Sequence, residues 1–124
     1  MLRAIILSIV LSSALLAAGC QSRGNPSGDP RLQIGEDLAL EGSVTAIDAT
    51  AMFVDGDGLL IVDSPEYGVI TLRIPARESQ CPARGLATFH VLEVGDVIRA
   101  VGTVSAESVV TVCRSESHLL ERAP

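Results

Sequence analysis

The sequence predicts an all-β domain with one short helix, preceded by an N-terminal segment of a different kind. Hydrophobic residues beyond position 37 alternate with polar ones at a period of two, which is typical of strands with one buried face. Turns that contain Gly, Pro or Asp separate these stretches at short intervals. Leu86, Phe89 and Leu92 are apolar residues three apart, which indicates one or two helical turns. The chain has 124 residues, enough for one small domain.

The first predicted strand covers residues 38–46 and is half buried, because polar side chains occupy every second position. An Asp-Gly-Asp-Gly sequence at 55–58 then predicts a loop or tight turn. The residues expected on the inner face of the strand are Leu38, Leu40, Gly42, Val44 and Ala46.

The next two strands are predicted to form an antiparallel hairpin. Residues 59–62 are continuously apolar, which indicates a strand buried on both faces. Ser64-Pro65-Glu66 interrupts this run, and alternation returns over 68–74. The two stretches are close enough in sequence to pair across the intervening turn.

The remaining elements follow a loop that is predicted at 75–85. Leu86, Phe89 and Leu92 predict one or two helical turns packed against the sheet. Residues 97–104 and 109–113 are rich in Val and predict two further strands. Residues 114–121 are more polar, and Leu119 and Leu120 are expected to cover an open end of the domain.

This order of elements resembles the OB-fold, a five-stranded Greek-key barrel. The stretch Leu-Glu-Val-Gly-Asp-Val-Ile-Arg-Ala-Val-Gly-Thr-Val at 92–104 looks like the fourth strand of many OB-fold domains. We therefore expect an OB-fold-like domain at 34–124. The resemblance implies a ligand face on the second and third strands, with loops 48–58 and 105–108 beside it. The residues of this candidate ligand face are Asp55, Asp57, Tyr67 and Arg73.

The N-terminal segment has the layout of an export signal. One arginine precedes an apolar run at 4–18, which is shorter than the roughly 20 residues of a membrane-spanning helix. Small residues follow, as at a cleavage site, and then Cys20. An ordinary secretory signal and an uncleaved anchor are the alternative interpretations.

The sequence Leu-Leu-Ala-Ala-Gly-Cys at 15–20 resembles the lipobox of bacterial lipoprotein precursors. This resemblance implies a signal peptide at 1–19 and lipid on the sulfur and the amine of Cys20. It departs from the usual pattern at Ala17, where a branched aliphatic residue is common. Residues 20–33 are rich in Gly, Pro and Ser and are expected to form a flexible linker. Gln21, in place of Asp, favours the outer membrane over the inner membrane.

The charge and the aromatic content argue against nucleic acid as a partner. Residues 31–124 contain seven Arg and fourteen Asp plus Glu, so their formal net charge is −7. Such a domain repels phosphate backbones. The whole chain has only one Tyr, two Phe and no Trp for stacking on bases.

With Cys20 lipidated, Cys81 and Cys113 remain as a pair. An oxidising periplasm predicts a disulfide between them. Together with His90 and His118 they also have the ligand types of a zinc site, but their spacings match no compact zinc motif. We therefore expect no metal, and we expect His118 at the surface and His90 in the helix at the domain edge.

No sequence motif for catalysis or for a cofactor is present. Asp55, Asp57 and Asp63 are similar to part of a calcium loop, but Leu59 stands where an oxygen ligand is needed. No nucleophile, base and oxyanion donor can be assembled from recognisable motifs. The prediction is a non-enzymatic module that is anchored to the membrane by lipid and binds an envelope protein.

Two alternatives remain open. One is a periplasmic domain that binds a small ligand or cation in envelope stress tolerance, which the acidic loops support. The other is a purely structural subunit of a larger assembly.

Overall fold

Six β-strands form one sheet that closes into a barrel in the computed structural model, which describes residues 29–124. The predicted signal peptide, the predicted lipidation site Cys20 and the linker residues up to 28 lie outside the described residues. The strands are β1 (Asp37–Asp48), β2 (Gly58–Ser64), β3 (Gly68–Ile74), β4 (Val97–Ala106), β5 (Val109–Thr111) and β6 (Leu119–Arg122).

The barrel closes through a pairing between its first and fourth strands. The sheet order is β1-β2-β3-β5-β4-β6, and β1 also pairs with β4. The β3–β5 pairing is parallel, whereas β1–β2, β2–β3, β4–β5 and β1–β4 are antiparallel. This arrangement confirms the predicted five-stranded Greek-key barrel with OB-fold-like topology.

The core is the inside of the barrel, filled by alternate residues of every strand. In β3, for example, the even-numbered positions 70, 72 and 74 are fully buried while Val69 and Arg73 are exposed. Large aliphatic side chains fill most of this space. The largest fully buried apolar side chains are Leu60, Ile70, Leu72, Ile74, Ile98 and Leu120.

A β-bulge in β1 corrects the predicted inner face of that strand. The register with β2 shifts between Val44 and Ala46, so one extra residue of β1 is inserted there. Alternation moves by one position after the bulge. Ala46 is therefore exposed, contrary to the prediction, and Ile47 packs against the core opposite Leu60.

The prediction that residues 59–62 are buried on both faces was wrong. Leu60 and Val62 are fully buried, but Leu59 and Ile61 are only partly covered on the outside of the barrel. Within residues 29–124, no second layer of structure packs over the outer face of β2. Leu59 and Ile61 therefore form a partly exposed apolar strip on the outer surface of the barrel, next to β3.

The predicted short helix is present as a 3-10 helix at Leu86–Val91, with Leu86 and Phe89 buried. Two further 3-10 helices occupy Thr50–Val54 and Glu78–Gln80. Among residues 29–124, none of the helices has the length and the apolar character to cross a membrane.

Two features at the ends of the domain differ from the predictions. Residues 119–122 form β6, which pairs with Ile98–Val101 of β4 rather than merely covering an open end. At the other end, residues 29–33 contact the barrel, although the linker was expected to reach residue 33. Leu32 packs against the core, and the Gly35 N–H donates to the Val104 carbonyl at 2.7 Å. The folded unit therefore includes residues 29–33, which were predicted to belong to the linker.

Candidate functional site

A disulfide joins the loop after β3 to the segment after β5. Cys81 and Cys113 are bonded, with their Cα atoms 4.7 Å apart, as predicted. Backbone hydrogen bonds reinforce the connection: the Ala83 N–H donates to the Cys113 carbonyl at 3.1 Å, and the Arg84 N–H donates to the His118 carbonyl at 3.0 Å. The two segments are therefore held together by both covalent and hydrogen bonds.

His118 is buried beside this disulfide, with 1% of its surface exposed, so its predicted surface position was wrong. The Cys113 N–H donates to Nδ1 at 3.3 Å, which leaves Nε2 to carry the ring hydrogen. Nε2 lies 3.1 Å from Oδ1 of Asp37 and donates to it. Both ring nitrogens are thus engaged in structural contacts.

Asp37 receives a second hydrogen bond from the Thr103 hydroxyl at 2.8 Å. This bond, followed by the one from His118, lowers the pKa of Asp37 below its usual value. The carboxylate therefore connects the start of β1, the middle of β4 and the last loop. We call His118, Asp37 and Thr103 the polar bridge.

The alternative zinc set is not assembled. Both cysteine sulfurs are in the disulfide, and His90 Nε2 lies 3.2 Å from Glu78 Oε2 on the exposed surface. Within residues 29–124, no group of three or more Cys, His, Asp or Glu side chains is arranged to hold a metal ion.

Two of the predicted ligand-face residues meet at one end of the β2–β3 hairpin. Arg73 Nε lies 3.0 Å from Asp57 Oδ2. Nearby, Arg77 lies 3.7 Å from the carboxylate of Asp55. Each loop carboxylate thus faces an arginine. Asp63 lies further along β2, away from the other two aspartates of the calcium-like pattern.

Tyr67 lies at the opposite end of the same hairpin, in the turn between β2 and β3. It is six positions before Arg73, a distance of about 20 Å along an extended strand. The guanidinium of Arg31 stacks over its ring, 4.6 Å from the centroid. Burial, followed by the nearby Glu66, raises the pKa of Tyr67. The structure therefore does not bring Tyr67 together with the other three residues of the predicted ligand face.

Arg31 fastens the start of the domain to this turn. It pairs with Asp29 at 2.6 Å and with Glu66 at 3.3 Å, and it donates to the Glu66 carbonyl. Hydrogen bonds from Arg31 lower the pKa of Asp29. The segment that leads to the linker is therefore fixed beside Tyr67.

A shallow groove of about 360 Å³ lies next to this end of the barrel. Its lining includes two carboxylates, of which Glu66 is paired with Arg31, so Glu41 is the one that could face an organic cation. The groove could not be predicted from local sequence patterns, because its walls come from three separate segments. It is lined by Glu41, Gly42, Ser43, Pro65, Glu66 and Val97.

The most exposed large apolar side chains lie in the β1–β2 loop. Phe53 is 89% exposed and Val54 is 81% exposed, at the end of the first 3-10 helix. We call this pair the apolar tip. Sequence reasoning missed it, because periodicity does not distinguish a solvent-facing Phe from a buried one in a loop. An apolar pair directly before an Asp-Gly turn was the only available signal.

No protein-family model matches this chain, and no curated protein matches its sequence.

Proposed function

We propose that this protein is a lipoprotein of the bacterial envelope, anchored in the outer membrane through Cys20, whose non-catalytic barrel binds an envelope protein. The observation that carries the proposal is the lipobox-like sequence at 15–20, followed closely by a disulfide-linked barrel. The disulfide suits an oxidising compartment. The described residues of the domain begin at Asp29, nine positions after Cys20, so a lipid on Cys20 would hold the domain near the bilayer.

The buried polar side chains have hydrogen-bond partners within the fold. In residues 29–124 the buried polar or charged residues are Ser64 and His118. The Ser64 hydroxyl accepts the Tyr67 N–H at 3.2 Å, and His118 has both ring nitrogens engaged. Both side chains therefore take part in contacts that hold the barrel together.

Replacement of the lipidated residue tests the anchor. Cys20→Ser should abolish palmitate labelling and leave the chain as a precursor or free of the membrane. Gln21→Asp should shift the labelled protein towards the inner membrane, and Gln21→Asn is the matched control that should not. Palmitate labelling that persists in Cys20→Ser would overturn the anchor.

Recovery of a partner tests the binding role. A tagged full chain, purified from detergent-solubilised envelopes, should retain one protein in stoichiometric amount. A lipoprotein of similar size with the same tag is the control. Recovery of the same abundant envelope proteins in both samples would contradict the proposal.

A second candidate function is binding of a small organic cation, which the groove with Glu41 and Glu66 favours. A ligand raises the stability of the folded state by RT ln(1 + [L]/Kd). Spermidine and, separately, calcium and magnesium should be tested by thermal shift at about millimolar concentration. A shift that disappears in Glu41→Gln but persists in Asp55→Asn would support the groove; no shift would exclude this function.

A further inference from the structure

We propose that the apolar tip, Phe53 and Val54, is the surface through which the barrel docks to an envelope protein that offers an apolar pocket with a basic rim. This inference rests on the proposed function and assigns its binding surface.

The apolar tip is held in place by hydrogen bonds. The Thr50 N–H donates to the Asp48 carboxylate at 2.9 Å, and the Met52 N–H donates to the Ala49 carbonyl at 3.1 Å. After the tip, the Gly56 N–H donates to the Ala51 carbonyl at 2.7 Å, across a left-handed residue, Asp55. A side chain presented by an ordered turn loses little conformational freedom on binding.

Phe53 cannot turn inward, because the end of the barrel beneath it is already filled. Phe89 is 2% exposed and closes this end from the third 3-10 helix. A Cβ on Gly58 would meet the Phe89 ring at 2.6 Å and the Met52 sulfur at 2.8 Å. The side chain of Phe53 therefore remains exposed when the domain is fully folded. Aromatic side chains of this kind dominate the binding energy of interfaces.

The position of the linker indicates that the tip points away from the membrane. The linker enters at Asp29, beside the β2–β3 turn, whereas the tip lies at the other end of β2. The seven residues of β2 separate the two ends by about 20 Å. The β2–β3 turn is therefore the end closer to the lipid.

The charges beside the tip favour a basic protein partner over anionic lipid. Asp48, Asp55 and Asp57 flank the tip, and Arg73 and Arg77 balance two of these three carboxylates. Residues 31–124 carry a formal net charge of −7. Anionic lipid would be repelled, whereas a protein pocket with Lys or Arg at its rim would be attracted.

Site-specific photocrosslinking of the full chain in intact cells tests the inference. Benzoylphenylalanine replaces Phe53 in one variant and Val69, which is 60% exposed on β3, in the control variant. Position 53 should give one adduct with an envelope protein, and position 69 should not. An adduct with lipid or with a second copy of this chain at position 53, or no adduct there, would overturn the inference.

Binding to the crosslinked protein should then be measured with purified components. Phe53→Ser should weaken the affinity at least tenfold, which corresponds to about 1.4 kcal/mol. Ile34→Ser, at a position that is 70% exposed elsewhere on the domain, should change it less than about twofold. Both variants should melt like the wild type, because neither side chain is buried. An unchanged affinity in Phe53→Ser would contradict the inference.

Failure of the docking surface can be distinguished from failure of the proposed function. If the wild-type chain retains an envelope partner, but only the variant with benzoylphenylalanine at position 69 crosslinks to that partner, the docking surface is wrong and the proposed function stands. If Cys20 carries no lipid and no partner is retained, the proposed function itself fails.

Discussion

His118 donates a hydrogen bond to Asp37 across 81 positions of sequence, with 3.1 Å between Nε2 and Oδ1. This contact joins the last loop to the first strand, directly beside the Cys81–Cys113 disulfide. Because the histidine is buried and accepts the Cys113 N–H as well, the polar bridge stabilises the part of the barrel where three segments meet.

Removal of the His118 ring should destabilise the domain markedly. His118→Ala leaves the Cys113 N–H without its acceptor and opens a cavity. Loss of a buried hydrogen-bond partner alone costs about 1–3 kcal/mol. The free energy of unfolding should be measured by urea denaturation, with His90→Ala, at a 52% exposed side chain, as the matched control. Equal destabilisation by both changes would contradict the role of the polar bridge.

The charge of Asp37 should make stability depend on pH. Its pKa is lowered in the folded state, so its contribution is fully present above the unfolded-state pKa and is lost as the pH falls through the folded-state pKa. Asp37→Asn should therefore lower Tm by a few degrees near pH 7, because the amide accepts the hydrogen bonds from Thr103 and His118 less strongly than the carboxylate does. Interactions of a side chain this exposed contribute about 0.2–1 kcal/mol. The difference between wild type and variant should shrink below about pH 4. A difference that is the same at both pH values would show that the charge is unimportant.

Reduction of the disulfide should lower thermal stability more than any single polar contact. The bond connects positions 32 apart, and a closed loop of that length contributes roughly 3–4 kcal/mol in the chain-entropy model. Cys113→Ser should melt well below the oxidised wild type and should be insensitive to reductant. Equal melting temperatures of the wild type with and without reductant would reject this contribution.

Gly85 and Gly68 offer a matched pair of glycine substitutions. Both have positive φ angles, of 75° and 74°, so alanine is strained at either position by about 1–2 kcal/mol. A Cβ at Gly68 meets nothing within 4 Å, whereas one at Gly85 would collide with the Leu120 carbonyl oxygen. Gly85→Ala should therefore destabilise the domain more than Gly68→Ala. The reverse order in urea denaturation would contradict the contact between the 81–85 segment and β6.

Local pattern was sufficient to predict most of the barrel. Alternation in 68–74 predicted β3 correctly, because one face of that strand is buried and the other meets water. The same rule predicted Leu38, Leu40 and Val44 as core residues. The alternation rule failed at Ala46, because a β-bulge arises from the pairing of two strands and cannot be recognised in the sequence of one strand.

Features that depend on distant partners could not be predicted. β6 is only four residues long. It pairs with Ile98–Val101, the part of β4 that does not pair with β5. The burial of His118 depends on Asp37, which no local pattern connects to it. Tyr67 and Arg73 were grouped on one predicted face, but β3 holds them at opposite ends of the hairpin. Sequence alone therefore identified the disulfide and the fold, but not the arrangement of the surface.

The most direct test of the account is the mass of the N-terminal peptide of the mature protein, purified from cell envelopes. The account predicts a peptide that begins at Cys20 and carries acyl groups on its sulfur and amine. A peptide that begins elsewhere, or an unmodified thiol at Cys20, would contradict the anchored lipoprotein and the orientation inferred from it.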